Sequence, residues 1–377
     1  MRVNRPVLSA AVVFVMTGLL SATWAARIPA TQDRLHLSTS ALAVAVLGIE
    51  GGALLGLPVG GALVARYGSS RCVRLGFGCY AALLVPLGLV PTLGWLTAFL
   101  FAWAAANSVV DVAMNAAGVH LEAGTARRIL SRLHAGQSVG LLVGGLVATG
   151  ATAARLPLSL HFGGVALAAG LAVVGFARWL PDDAPRTSGR LLVLPDRHLL
   201  LLGAIAFCGF LIDGAASNWV AVDLRGEQHA SATLAAAGYT CVTAAVAAVR
   251  LLGDRVLTRY RRSRLVQVSG GIAAGGATVV VLAPTAGVAL TGWILVGAGV
   301  ALFAPTVLGA APYARTTSAP AAAIASVTTL GYLGSFTGPP AIGVLAGASS
   351  LSCALGLLVV AALITAALAH QAVPPHP

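Results

Sequence analysis

The chain has 377 residues, of which 58% are hydrophobic and only 9% charged, whereas soluble domains carry about 25% charged residues. So little polar surface cannot coat a water-soluble body, and the composition reads as that of an integral membrane protein. The net charge of +12 comes from arginine alone; the arginines fill short gaps between apolar runs, so they read as topology signals rather than a phosphate-binding face, and nucleic acid is not an expected partner.

The first run, Pro6–Ala26, follows Arg2 and Arg5 and ends in small residues, as a signal peptide does. Its length of about 20 residues instead suits a complete span, and many spans follow it. Five more are expected in the first half: Thr39–Ala65, Cys72–Val90, Trp95–Gly118, Leu133–Ala153 and Leu158–Trp179. The second half gives Leu199–Val220, Ala232–Leu252, Leu265–Ala283, Ala286–Ala311, Ala321–Gly343 and Ser350–Ala369. The expected organisation is a six-helix half over 1–180, a linker over 181–198 and a second six-helix half over 199–377, twelve transmembrane helices in all. Placing the N-terminus in the cytoplasm leaves only Arg27, Arg34, Arg155 and Arg225 in outer gaps. Positive loops face the cytoplasm, so both termini are expected there, in a multi-pass protein of the cell (inner or plasma) membrane.

The halves echo each other. Ala65-Arg66-Tyr67-Gly68-Ser69-Ser70-Arg71 returns 193 residues later as Thr258-Arg259-Tyr260-Arg261-Arg262-Ser263-Arg264. Thr23-Trp24-Ala25-Ala26 returns after 195 as Asn218-Trp219-Val220-Ala221. Gly136, Gly140 and Gly144 lie four apart on one helical face, as small residues do where backbones approach closely; packing at the seam between the halves is expected. A similar set, Gly331, Gly334 and Gly338, precedes Pro339 and Pro340, which should break the eleventh span and give it a bending point. Weak internal symmetry of this kind marks transporters.

No soluble domain fits in any loop, and neither a phosphate-binding loop nor metal-ligand spacing appears. The five cysteines lie in or beside apolar runs without CxxC spacing. No nucleophile–base pair stands out, so an enzyme is not expected, nor any cofactor or metal.

Gly61-Ala62-Leu63-Val64-Ala65-Arg66-Tyr67-Gly68-Ser69-Ser70-Arg71 resembles the G-x-L-x-D-R-x-G-R-[KR] loop of the major facilitator superfamily (MFS). Ala65 stands where that loop usually has Asp, so Asp254, four residues after Arg250, is a candidate to supply the latch. Thr23–Pro29, Asp111-Val112-Ala113-Met114-Asn115 and His134-Ala135-Gly136 resemble the fucose-permease-like branch, in particular its YbjJ-type members. The resemblance implies an all-α MFS fold of two pseudo-symmetric six-helix halves. It also implies secondary active transport of a small organic solute, sugar-like or a related metabolite, by alternating access and coupled to protons, by a chain that functions as a monomer. Drug or metabolite efflux on the same fold is the alternative, with a non-transporting membrane sensor or scaffold behind it.

Ionisable residues within spans carry the functional expectation, because a carboxylate at a helix centre in the bilayer costs roughly 2.5–3.5 kcal/mol and so faces a cavity or partner. Asp111 leads. Asn107, Asp111 and Asn115 are four apart and share one face, suited to a cavity wall, and the resemblance implies an acid in the fourth helix as proton carrier; a hydrogen-bonding role is the alternative. The repeat mate of Asp111 lies near Pro305. Glu50 in span two is a second proton candidate, paired or titrating. His134, with an ordinary pKa near 6.5, is a third. Asp213 and Asn218 are expected to line the cavity, or Asp213 to meet Arg27. Trp24, Trp219, Tyr239 and Tyr332 would stack on a substrate, or anchor at the interface. Arg250 reads either as a helix-end partner of Asp254 or as an anion binder. Arg66, Gly68, Arg71 and Arg259 mark the cytoplasmic turns expected to gate.

Overall fold

The computed structural model describes residues 4–125, 129–180, 197–311 and 320–372. Everything ordered among them is helical. The chain separates into two compact units, Met1–Ser188 and Gly189–Pro377.

In the first unit, α1 spans Arg5–Ala25 with a proline in its first turn, where a missing N–H is harmless. A short helix unforeseen in the sequence, α2 (Ile28–Leu35), follows and ends at His36, in the left-handed region at φ 52°. α3 (Thr39–Tyr67) is capped by Ser38, whose hydroxyl accepts the Ala41 N–H at 3.2 Å. α4 (Ser69–Leu87) follows after one residue, Gly68, at φ 81°. α5 (Leu93–Thr125), α6 (Leu130–Ala153) and α7 (Leu158–Ala177) complete the unit.

The glycine face of α6 packs on α1: a Cβ on Gly140 would run into the Val15 carbonyl. This corrects the expected seam between halves, since the close approach lies inside one unit. Lipid offers apolar side chains no hydrophobic gain from association, so backbone proximity and dispersion must hold such pairs.

The second unit comprises α8 (Arg197–Gly226), α9 (Ala232–Arg259), α10 (Arg262–Val281), α11 (Ala286–Val300), α12 (Phe303–Ala310), α13 (Pro320–Ala348) and α14 (Leu351–Ala372). Here α13 repeats the part of α6. A Cβ on Gly334 would strike the Phe207 carbonyl of α8. Two expectations fail in opposite senses. α13 runs unbroken through Pro339 and Pro340, while the expected span Ala286–Ala311 divides into α11 and α12 around Ala301 and Leu302. Pro305 explains the division, because it has no N–H for the carbonyl four residues back, that of Ala301.

Ten helices among the described residues are long and apolar enough to cross a membrane. Ser69–Leu87 and Pro320–Ala348, at the expected third and eleventh spans, are not among them; the former carries Arg71 and Arg74 in its first two turns. Leu75, Val174 and Leu251 are each 75% exposed or more, an arrangement suited to a lipid-facing surface. The expected linker falls almost wholly outside the described residues.

Candidate substrate and proton sites

In the first unit the polar stripe of α5 forms as its spacing predicts. Asn115 Nδ2 donates to the Asp111 carbonyl at 2.9 Å and to its carboxylate Oδ1 at 3.3 Å. His134, from α6, lies close enough to act electrostatically on Asp111. The sequence offered the imidazole and the acid as separate candidates; the α5 and α6 helices bring them together. The His134 ring packs edge-on against Phe14, 5.1 Å between centroids. Asn107 is half-buried with its Oδ1 unpartnered. Glu50 sits half-buried on α3, without a hydrogen-bond partner among the described residues.

In the second unit a cavity of about 200 Å³ opens among α8, α9, α13 and the α11–α12 break. Phe210, Asp213, Arg250, Phe303, Tyr332 and Ser335 line it. Arg250 Nε donates to the Ala301 carbonyl at 3.2 Å, the very acceptor that Pro305 leaves without an intrahelical donor. Its guanidinium also acts through space on Asp213. Arg250 thus belongs to a cavity wall; the Asp254 side chain, its other expected partner, lies outside the described residues. Tyr332 stands at the cavity, with Phe336 stacked on it at 6.1 Å and Phe210 edge-on at 5.8 Å. Pro339 likewise deprives the Ser335 carbonyl of its ordinary helical donor. Tyr239 is buried beside Asp213, its hydroxyl bonded to Thr243.

Two expected lining residues, the tryptophans, are placed elsewhere. Trp24 is 3% exposed, packed between Trp103 and Phe162 with ring centroids 6.4 Å from each. Trp219 is fully buried and donates its indole N–H to the Pro339 carbonyl at 3.1 Å. Both rings are therefore helix-packing residues, neither cavity walls nor interfacial anchors. Asn218 is half-buried and donates back to Gly214 of its own helix at 2.8 Å. Within its own unit, the Arg27 guanidinium bonds Thr152 Oγ1 at 2.7 Å and the Leu156 carbonyl at 2.8 Å.

Arg66 lies over the Tyr67 ring at 5.3 Å, and Arg71 and Arg259 are exposed at helix ends. One buried acid was missed altogether. Asp223 is wholly buried near the end of α8, and its Oδ2 accepts the Trp293 indole N–H at 2.8 Å. The span limit drawn at Val220 hid it, because α8 continues to Gly226.

Ten membrane-length helices among the described residues, arranged in two compact units, define a polytopic membrane protein in outline. Residues 7–339 match the model of the Major Facilitator Superfamily, and the chain belongs to that family of transporters. It is 32% identical over 360 residues to the uncharacterised transporter y4wD of Sinorhizobium fredii, covering 94% of this chain and 95% of the relative. Among solved structures it superposes on a D-xylose–proton symporter with a TM-score of 0.78 at 14% identity, covering 99% and 98% of the two chains. The Escherichia coli fucose:proton symporter FucP superposes with a TM-score of 0.62 at 14% identity, over 98% of each chain. At these identities the structural likeness carries the fold alone.

Proposed function

We propose that this chain is a proton-coupled secondary active transporter, moving a small polar organic solute across the cell membrane by alternating access as a monomer. Asp111 is the proton carrier, and the cavity around Asp213 and Arg250 takes the solute. The observation that carries the coupling role is the Asp111 group: a carboxyl in a membrane helix, bonded by the Asn115 amide and facing the His134 imidazole. An amide donor and an imidazole steady the anion without neutralising it permanently, as a lysine or arginine at contact would. The carboxyl can therefore gain and lose a proton as its access changes. His134 is a relay for that proton. Both termini lie on the cytoplasmic side, which is the orientation that follows from the arginines in the short gaps.

Reconstituted in liposomes, Asp111→Asn should lose accumulation driven by a pH gradient while retaining solute exchange in its absence. Wild-type accumulation with wild-type pH dependence in that variant would remove Asp111 from the mechanism. His134→Gln should slow driven uptake with less effect on exchange.

A further inference from the structure

We infer that the cavity of the second unit takes a zwitterion, a small molecule bearing a carboxylate and an ammonium on one compact frame, with its apolar body against Phe210, Phe303 and Tyr332. The inference rests on taking this cavity as the solute site and narrows what that solute is.

The argument starts from charge. One wall presents the Asp213 carboxylate, another the Arg250 guanidinium, and both side chains are exposed to the same space of about 200 Å³. Within a bilayer an unbalanced charge is expensive. A lone anion would bind Arg250 and leave two negative groups, itself and Asp213, sharing one guanidinium. A lone cation would do the reverse to Arg250. A ligand of zero net charge keeps the cavity neutral. Among such ligands, a zwitterion replaces the through-space attraction of Asp213 and Arg250 with two direct charge-assisted hydrogen bonds, which are roughly twice as strong as neutral ones.

The broken helix adds polarity of the same sense. α11 ends at Val300, and the Ala301 carbonyl beyond it has no helical donor because Pro305 lacks an N–H; α12 begins at Phe303 with no side-chain cap on its first N–H groups. Facing helix ends of this kind present a negative and a positive pole to a cavity. Phe303 and Ala304, from the first turn of α12, and Val300, from the last of α11, are all at the cavity. Arg250 already bonds the negative pole through Nε, which leaves its two terminal nitrogens to fork onto a carboxylate. The ligand's ammonium then falls to Asp213, with Ser335 beside it on the cavity wall.

The aromatic wall supplies the rest. Tyr332 is 37% exposed, though Phe210 and Phe336 pack beside it. It offers a face to an apolar or aromatic side chain.

The test is thermal unfolding of the purified full-length protein in detergent, titrated with each of the twenty standard amino acids. Each responding amino acid is then compared with its methyl ester and with its des-amino acid. D-Xylose and L-fucose serve as neutral polyol probes. At least one amino acid should stabilise saturably, and both of its singly charged analogues should need at least tenfold higher concentration for the same shift. Arg250→Lys, which keeps the charge and loses the fork, and Asp213→Asn should each weaken that response at least tenfold. No response to any amino acid, stabilisation by the sugars alone, or equal response to the ester and the zwitterion would overturn the inference. The analogue comparison uses wild-type protein, so it stands even where a variant fails to fold. pH-driven sugar uptake through Asp111 would leave the transport reading intact while removing this one.

Discussion

The two units are built alike and equipped differently. In each, a glycine-bearing helix presses its backbone on the unit's first long helix: Gly140 on α1, Gly334 on α8. Yet the acid of the first unit faces an amide and an imidazole, whereas the acid of the second faces a guanidinium at a broken helix. The repeat position of Asp111 falls near Pro305, and that proline both forbids a second copy of the acid and opens the break that Arg250 fills. The two units share the backbone packing that lets helices stand in lipid. The polar chemistry differs between them: the first unit holds the groups proposed to carry the proton, the second those proposed to bind the solute.

Breaking the shared part should have the largest effect, and the same one in both units. Gly140→Leu and Gly334→Leu each drive a side chain into a neighbouring backbone carbonyl. Overpacking costs about 1–3 kcal/mol and more where the obstacle is rigid backbone, and both variants should lose most of their monodisperse yield in size-exclusion chromatography. A severe loss from one and tolerance of the other would show that the packing is not truly repeated. Trp293→Phe should act next. It removes the donor to Asp223 and leaves a wholly buried carboxyl without that partner. A buried polar group stripped of its hydrogen bond costs about 2 kcal/mol, readable as a lowered Tm; an unchanged Tm would mean that water already serves Asp223.

Much of this was legible in the chain. The apolar runs, the doubled basic turn and the stripe Asn107–Asp111–Asn115 each follow from periodicity. The pairing of Asp213 with Arg250 did not, because the residues lie on different helices and no short-range pattern links them. The tryptophans misled for a related reason. An indole near the end of an apolar run looks the same whether it will anchor at headgroups or, like Trp219, bond a carbonyl on a helix far along the chain. Prolines were ambiguous as well: Pro339 and Pro340 sit inside a continuous helix, while Pro305 marks a real division. What decides between them is whether a neighbour such as Arg250 can take over the freed carbonyl, and that is a tertiary fact.

The basic turns sharpen the comparison at a smaller scale. Gly68 has φ 81°, where an L side chain is strained, but its repeat mate Arg261 has φ −61°. Gly68→Ala should therefore cost about 1 kcal/mol and lower Tm, while Arg261→Ala should leave it unchanged. Equal effects would mean that the two turns share a conformation after all.

The smallest stability change is expected where the units differ most. Pro305→Ala restores an N–H that can bond Ala301, a gain of about 1 kcal/mol. It also loosens the unfolded chain by a similar amount, about 0.4–1 kcal/mol. The two nearly cancel, so Tm should hardly move. Local structure should change all the same: with α11 and α12 joined, backbone amides around 302–305 should exchange with deuterium more slowly. Arg250, displaced from Ala301, should then hold Asp213 alone and compete better against a bound solute. Unaltered exchange in this stretch would mean that Arg250, not Pro305, keeps the helix open, and that the second unit's site is organised by its charge rather than by its backbone.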